Sequence, residues 1–141
     1  MCSIYTCSMA SRMLTRIKKI SEKAYYGKYW RIVKELKKDH VVLPWRSCYG
    51  GIRQRCVNEN STGYEYYGGR GIKCRITPKE LMDLYFRDKA YRMKKPSIDR
   101  IDSDGHYEFK NLHWVELADN VRKSVDERVE RNKIRALESQ N

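Results

Sequence analysis

Nowhere in the 141 residues does an apolar run approach the roughly 20 residues that a membrane-crossing helix needs. The short segment before Arg12 also lacks the charged start and apolar middle of a secretion signal. Cys2, Cys7, Cys48, Cys56 and Cys74 form no C-x-x-C pair, and an odd count argues against a secreted disulfide scaffold. Their irregular spacing makes Cys48, Cys56, Cys74 and a histidine a poor structural zinc site, so buried or idle thiols are expected. Acidic residues are scarce where basic ones are dense: residues 1–58 hold 13 Lys and Arg against 3 Asp and Glu. The balance is 11 against 9 over residues 59–115 and 6 against 6 over residues 116–141. These gaps leave a cytoplasmic protein with no membrane partner as the expectation.

What is present is basic. A formal net charge of +12 favours a polyanionic partner, with nucleic acid the first candidate. The length suits one modest domain with an extension. From Ser11 to about Lys38, bases alternate with Met13, Leu14, Ile17, Ile20, Ala24, Trp30, Ile32, Val33 and Leu36, which predicts one or two amphipathic helices broken near Gly27. The charged side of those helices can lie along phosphates or simply face water. His40 to Pro44 reads as a linker, with Pro44 suited to the first turn of the next helix.

That next helix is WRSCYGGIRQRC, residues 45–56, with Trp45, Cys48, Ile52 and Cys56 on one side and Arg46, Arg53 and Arg55 on the other. The following loop, VNENSTGYEYYGGRGIKC, is no phosphate-binding loop, because its glycine spacing is wrong and no Gly-Lys-Ser/Thr follows. Its Tyr64, Tyr66, Tyr67 and Arg70 can stack on bases or bond phosphates, or the tyrosines can pack on the core. TPKE from Thr77 is a capping box with Pro78 at the first helical position, and the helix is expected to run to about Tyr91.

The densest chemistry lies in SIDRIDSDGHYEF, residues 97–109. Ser97–Ile101 reads as a strand, Asp102–Gly105 as a turn, Leu112–Val115 as a second strand and Glu116 onward as a helix, together a ββα unit. Strand alternation sets His113 opposite Trp114 and leaves Trp114 as the core residue. An EF-hand is excluded: with Gly105 at loop position six, position one is Arg100 and position twelve is Asn111, neither of which supplies the needed carboxylate. A hard divalent ion that takes one or two protein oxygens fits better, with Asp99 and Asn120 as donors.

WRSCYGGIRQRCVN, YEYYGGRGIKC and SIDRIDSDGHYEFKNLHWVELADN, in that order, resemble the phage-type HNH endonucleases, the ββα-metal or His-Me finger nucleases, over about Pro44 to Ser124. The resemblance implies an α+β fold: a small ββα-metal core at 44–124, a basic helical extension at 1–43 and a C-terminal helix extension at 125–141. It implies Mg²⁺ or Mn²⁺ as cofactor, no small-molecule cofactor, and DNA as partner. By the same resemblance Asp99 and Asn120 match the metal ligands, and Asn111 matches the residue that orients the catalytic base. Many members have histidine where this chain has Arg100, although the subgroup it most resembles, spelled D-R-I-D as here, has arginine, and a guanidinium cannot take a proton from water near pH 7. Either Arg100 stabilises phosphorane charge while His106, His113 or an ion-activated water acts as base, or it holds a phosphate at a slow site, or turnover is lost.

Three functions follow as expectations. The first is a metal-dependent DNA endonuclease or nickase of the homing type, acting in host cytoplasm if phage-encoded, with Arg46, Arg53, Arg55, Tyr67, Arg70 and Lys73 on the DNA. The second is a weak or inactive DNA-binding protein that keeps the scaffold. The third is an assembly protein that docks on RNA or an acidic partner.

Overall fold

The computed structural model describes residue 16 and residues 22–38 and 42–139. Met13, Leu14, Ile17, Ile20 and His40, to which the sequence assigns a helix face and a linker, lie outside the described residues. The chain divides into two compact units, Met1–Leu43 and Pro44–Asn141. The fold is mixed α and β, with one two-stranded antiparallel sheet among the described residues.

In the first unit, residues 22–26 are helical, a 3-10 turn follows at Gly27–Tyr29, and α1 spans Trp30–Lys38. Gly27 breaks the run at φ +52°, a left-handed conformation that costs glycine no Cβ clash. Tyr26 and Val33 are buried, Tyr26 stacks on Trp30 at 6.1 Å, and Lys37 pairs with Glu22 at 3.0 Å.

The second unit starts at α2, Pro44–Val57, with proline at its first position. Trp45 and Ile52 are buried and Cys48 and Cys56 are half-buried, as the helical spacing expects. The glycine-rich loop turns back on α2. At Gly68 a Cβ would meet Tyr64 Cε2 at 2.3 Å and the Cys56 carbonyl oxygen at 2.4 Å, so only glycine fits.

Helix α3, Pro78–Arg87, carries the expected capping box between Thr77 and Glu80. It ends four residues short of the expected Tyr91. Lys89 takes φ +54° and a 3-10 turn covers Ala90–Arg92, so the chain reverses there and buries Ala90. Leu81, Met82, Leu84, Tyr85 and Phe86 form its inner face.

Strand β1, Pro96–Arg100, pairs with β2, Leu112–Glu116, and Asp99 stands opposite His113. Trp114 is buried edge-on to Tyr85 at 5.2 Å, and its indole Nε1–H donates to the Leu81 carbonyl at 3.2 Å. Trp45 packs against both Tyr85 and Phe86, so one aromatic cluster joins α2, α3 and β2. Two carboxylates hold the hairpin in place: Asp88 accepts from Trp114 N–H in mid-β2 at 2.8 Å, and Glu116 accepts from the Lys94 and Lys95 backbones. Helix α4, Leu117–Glu138, leaves β2 directly and packs its first turns on the sheet, with no fully buried residue of its own.

Candidate functional site

The connection between β1 and β2 is an eleven-residue loop, longer than the turn expected at Asp102–Gly105, and Asn111 holds it closed. Its Oδ1 accepts from Asp102 N–H at 2.9 Å, and its Nδ2 donates to the carbonyls of Asp102 and His106, each at 3.0 Å. Its own backbone carbonyl accepts from Ile101 N–H at 2.9 Å. Asp102 adds an Asx turn by accepting from Asp104 N–H at 2.9 Å. All three hydrogen-bonding positions used by the Asn111 amide are thus spent on loop backbone, and the residue shapes the site rather than facing it.

Asp99 points from β1 toward α4, and its side chain is only 12% exposed. Its Oδ2 lies 2.9 Å from His113 Nε2 across the strand pair. The same oxygen accepts from the Lys123 ammonium, also at 2.9 Å. Lys123 donates as well to the Arg100 carbonyl and, at 3.3 Å, to the Ile101 carbonyl, while Glu127 stands 3.8 Å away. Asn120, one turn before Lys123, donates Nδ2 to Ser97 Oγ at 2.8 Å and to the Ile98 carbonyl at 3.1 Å. Donation by Nδ2 leaves Oδ1 as the acceptor of that amide. Asp99, His113, Asn120 and Lys123 therefore share one corner between the hairpin and the first turns of α4.

Alternation along β1 sends the next side chain to the other face. Arg100 is 9% exposed, lies 5.0 Å from the Tyr107 ring centroid and 5.1 Å from that of Tyr67, and donates to the Gly105 carbonyl at 2.9 Å. Arg55 from α2 lies 5.1 Å from the Tyr67 ring and 6.0 Å from Tyr107, and reaches the Tyr107 hydroxyl at 3.5 Å. Arg55 Nε is buried with no hydrogen-bond partner. The two tyrosine rings, 6.0 Å apart and nearly parallel, thus contact both guanidinium groups, and cation–π attraction stands in for carboxylate pairing. Tyr107 is carried into place by backbone bonds to Lys73 and Arg75 on either side of Cys74. Burial pushes its phenol up to about 12, with Arg55 pulling the other way. Burial likewise pushes the Cys48 thiol up to about 12.

The residues expected on DNA divide by this geometry. Arg46 and Arg53 are exposed on α2, and Arg53 lines a shallow concavity with Tyr49, Gly50, Gln54, Val57 and Asn58. Arg55 and Tyr67 belong to the tyrosine–arginine stack. Arg70 is exposed and ion-paired with Asp104, which ties the glycine-rich loop to the hairpin loop. Lys73 is exposed, and its backbone N–H donates to His106 Nδ1 at 3.1 Å, placing His106 with the glycine-rich loop. Of the two histidines near the acidic run, His113 is the one bonded to Asp99.

Lys123 is the site residue that the sequence reading missed. Its spacing of three from Asn120 on a helix was the available signal, because such pairs share a face. Among the described residues, no cluster of three or more His, Cys, Asp and Glu gathers as a metal-binding group, and Cys48, Cys56 and Cys74 are free thiols. The Asp99 corner offers a different donor set, a carboxylate with an amide oxygen. Of these two groups the Asp99 carboxylate already accepts the Lys123 ammonium, which the Arg100 and Ile101 carbonyls also hold. No protein-family model, curated protein or solved structure matches the chain.

Proposed function

We propose that residues 44–124 form an HNH-type ββα core that hydrolyses DNA phosphodiester bonds with a divalent cation, as an endonuclease or nickase of the phage homing type. The observation that carries the reading is the convergence of Asp99 from β1, His113 from β2 and Asn120 from α4 on a corner whose oxygens accept a cation. Asp99 and the Asn120 amide oxygen would hold Mg²⁺ or Mn²⁺. When bound, the ion supplies positive charge to the scissile phosphate and its leaving oxygen.

The remaining work falls to this chain's own side chains. Toward the Asp99 carboxylate His113 Nε2 donates, which leaves Nδ1 as the ring nitrogen to take a proton from the attacking water. His113 is 37% exposed, so water and substrate have access to it. Asn111 keeps the loop in register with the site, and Arg100 holds the opposite face of the hairpin on the tyrosines. Arg46, Arg53, Arg70 and Lys73 supply phosphate contacts, and the basic residues of the first unit add non-specific affinity. Incubation of supercoiled plasmid with Mg²⁺ or Mn²⁺ tests the assignment. Wild type produces open circles and Asp99→Ala does not; nicking indistinguishable between them would refute it.

A second reading has its own support, because Arg100 stands where many family members have histidine and is packed against tyrosines. In that reading the scaffold binds DNA without cutting it. Binding would then be salt-sensitive, survive chelation and produce no strand breaks.

A further inference from the structure

Lys123 contacts an Asp99 carboxylate oxygen and two backbone carbonyls, all belonging to the edge of β1 and the start of the hairpin loop. A carboxylate with two carbonyls is the kind of oxygen shell that a hard cation takes. Here the cation is tethered to α4. Asp99 is largely buried, so in the free protein its charge is balanced within the molecule by Lys123, with His113 on the same oxygen. A divalent ion on that oxygen would face an ammonium within contact distance, and like charges at such range oppose joint occupancy. Lys123 itself is 31% exposed on a flexible four-carbon stem, able to leave the corner and reach a phosphate.

We propose that Lys123 is a built-in competitor for the metal position: it occupies Asp99 in the free protein and is drawn off by a DNA phosphate, so that DNA binding opens the site to the divalent ion. This rests on the reading of Asp99 as a metal ligand. Metal and DNA then bind with positive coupling, and by linkage each raises the affinity of the other by the same factor.

Free Mn²⁺, followed by electron paramagnetic resonance in a titration of the full-length chain at fixed pH and salt, tests this. Wild type, Lys123→Met, Lys123→Gln and Asp99→Asn are compared with and without a phosphorothioate duplex, after subtraction of Mn²⁺ bound by duplex alone. Without duplex, Lys123→Met or Lys123→Gln binds Mn²⁺ on the order of tenfold more tightly than wild type, within the usual range of coupling factors. Duplex tightens Mn²⁺ binding to wild type and leaves the Lys123 variants nearly unchanged. Circular dichroism establishes that the variants are folded, and the glutamine variant keeps a polar group if methionine disturbs the corner.

The outcomes separate. Asp99-dependent Mn²⁺ binding that is equal in wild type and both Lys123 variants overturns the competitor role and leaves the metal site standing. Tighter binding by the variants with no effect of duplex on wild type overturns the DNA-driven release. Binding by wild type and both Lys123 variants no tighter than by Asp99→Asn, with or without duplex, overturns the metal site and the proposal together.

Discussion

Replacing Arg100 by histidine introduces the residue that many of the HNH nucleases this sequence resembles have after their aspartate, and on that resemblance alone activity would stay intact or rise. The structure leads to the opposite expectation. Arg100 is on the far face of β1 from the Asp99 carboxylate, stacked on Tyr67 and Tyr107 and bonded to the Gly105 carbonyl. A histidine there enters the same interior and does not meet the water-accessible corner. A desolvated cation–π contact contributes about 2 kcal/mol and an exposed one about 0.5–1 kcal/mol. A hydrogen bond from a charged donor contributes about 1.5–3 kcal/mol. Arg55 shares both rings and gains from the loss of a neighbouring positive charge, so the sum is not realised in full, and a net loss of about 2–4 kcal/mol follows. For a unit of this size that corresponds to a fall in melting temperature of about 10–20 °C. Urea denaturation followed by tryptophan fluorescence measures the loss, since Trp45 and Trp114 are both buried in this unit. Plasmid nicking at 20 °C, normalised to the folded fraction, measures activity. A stability within about 0.5 kcal/mol of wild type, or increased nicking, would refute this placement of Arg100.

Gly68→Ala drives a methyl into Tyr64 and the Cys56 carbonyl and is expected to cost about 1–3 kcal/mol in urea denaturation, whereas Gly50→Ala in α2 meets no atom within 4 Å and gains about 0.5–1 kcal/mol. Asn111→Ala removes the three side-chain bonds that close the hairpin loop; a loss of about 2–3 kcal/mol and faster amide exchange over residues 101–111 are expected, measured by denaturation and mass-resolved hydrogen exchange. The buried Cys48 thiol and Tyr107 phenol are raised from their ordinary 9.0 and 10.0 to about 12. The unfolded chain therefore releases these protons first, so the stability these two groups contribute is fully present below pH 9 and is lost as pH rises from 9 to 12, which a series of alkaline melts reads directly. A flat profile across that window would contradict the burial of both groups.

The capping box at Thr77, the helix start at Pro44 and the placement of Trp114 inside and His113 outside were legible because each follows from a local rule: a cap, a fixed φ, a two-residue period. The end of α3 was not. Nothing in the sequence between Arg87 and Tyr91 signals the left-handed turn at Lys89, which packing of Ala90 against the core imposes. The same two-residue period that separates His113 from Trp114 also separates Asp99 from Arg100, yet the likeness of Asp-Arg to Asp-His drew both to one site. Arg55 and Tyr67 were expected on phosphates because the local sequence carries no sign of partners 12 to 52 residues away in the chain. Lys123 was hidden for a related reason, since an ammonium that reaches back across a helix to a strand is a tertiary event that charge counting cannot locate.

Conversion of supercoiled plasmid to open circles by purified wild type, Asp99→Ala and His113→Ala decides whether the corner of Asp99, His113 and Asn120 cuts DNA with a divalent ion as proposed. Expected are nicking by wild type that stops on chelation, a loss of roughly 10²–10⁴-fold for His113→Ala as the proton acceptor disappears, and no nicking by Asp99→Ala. Cleavage by Asp99→Ala at the wild-type rate, or a wild type that retains plasmid in salt-sensitive complexes and breaks no strand with Mg²⁺ or Mn²⁺, would contradict that reading.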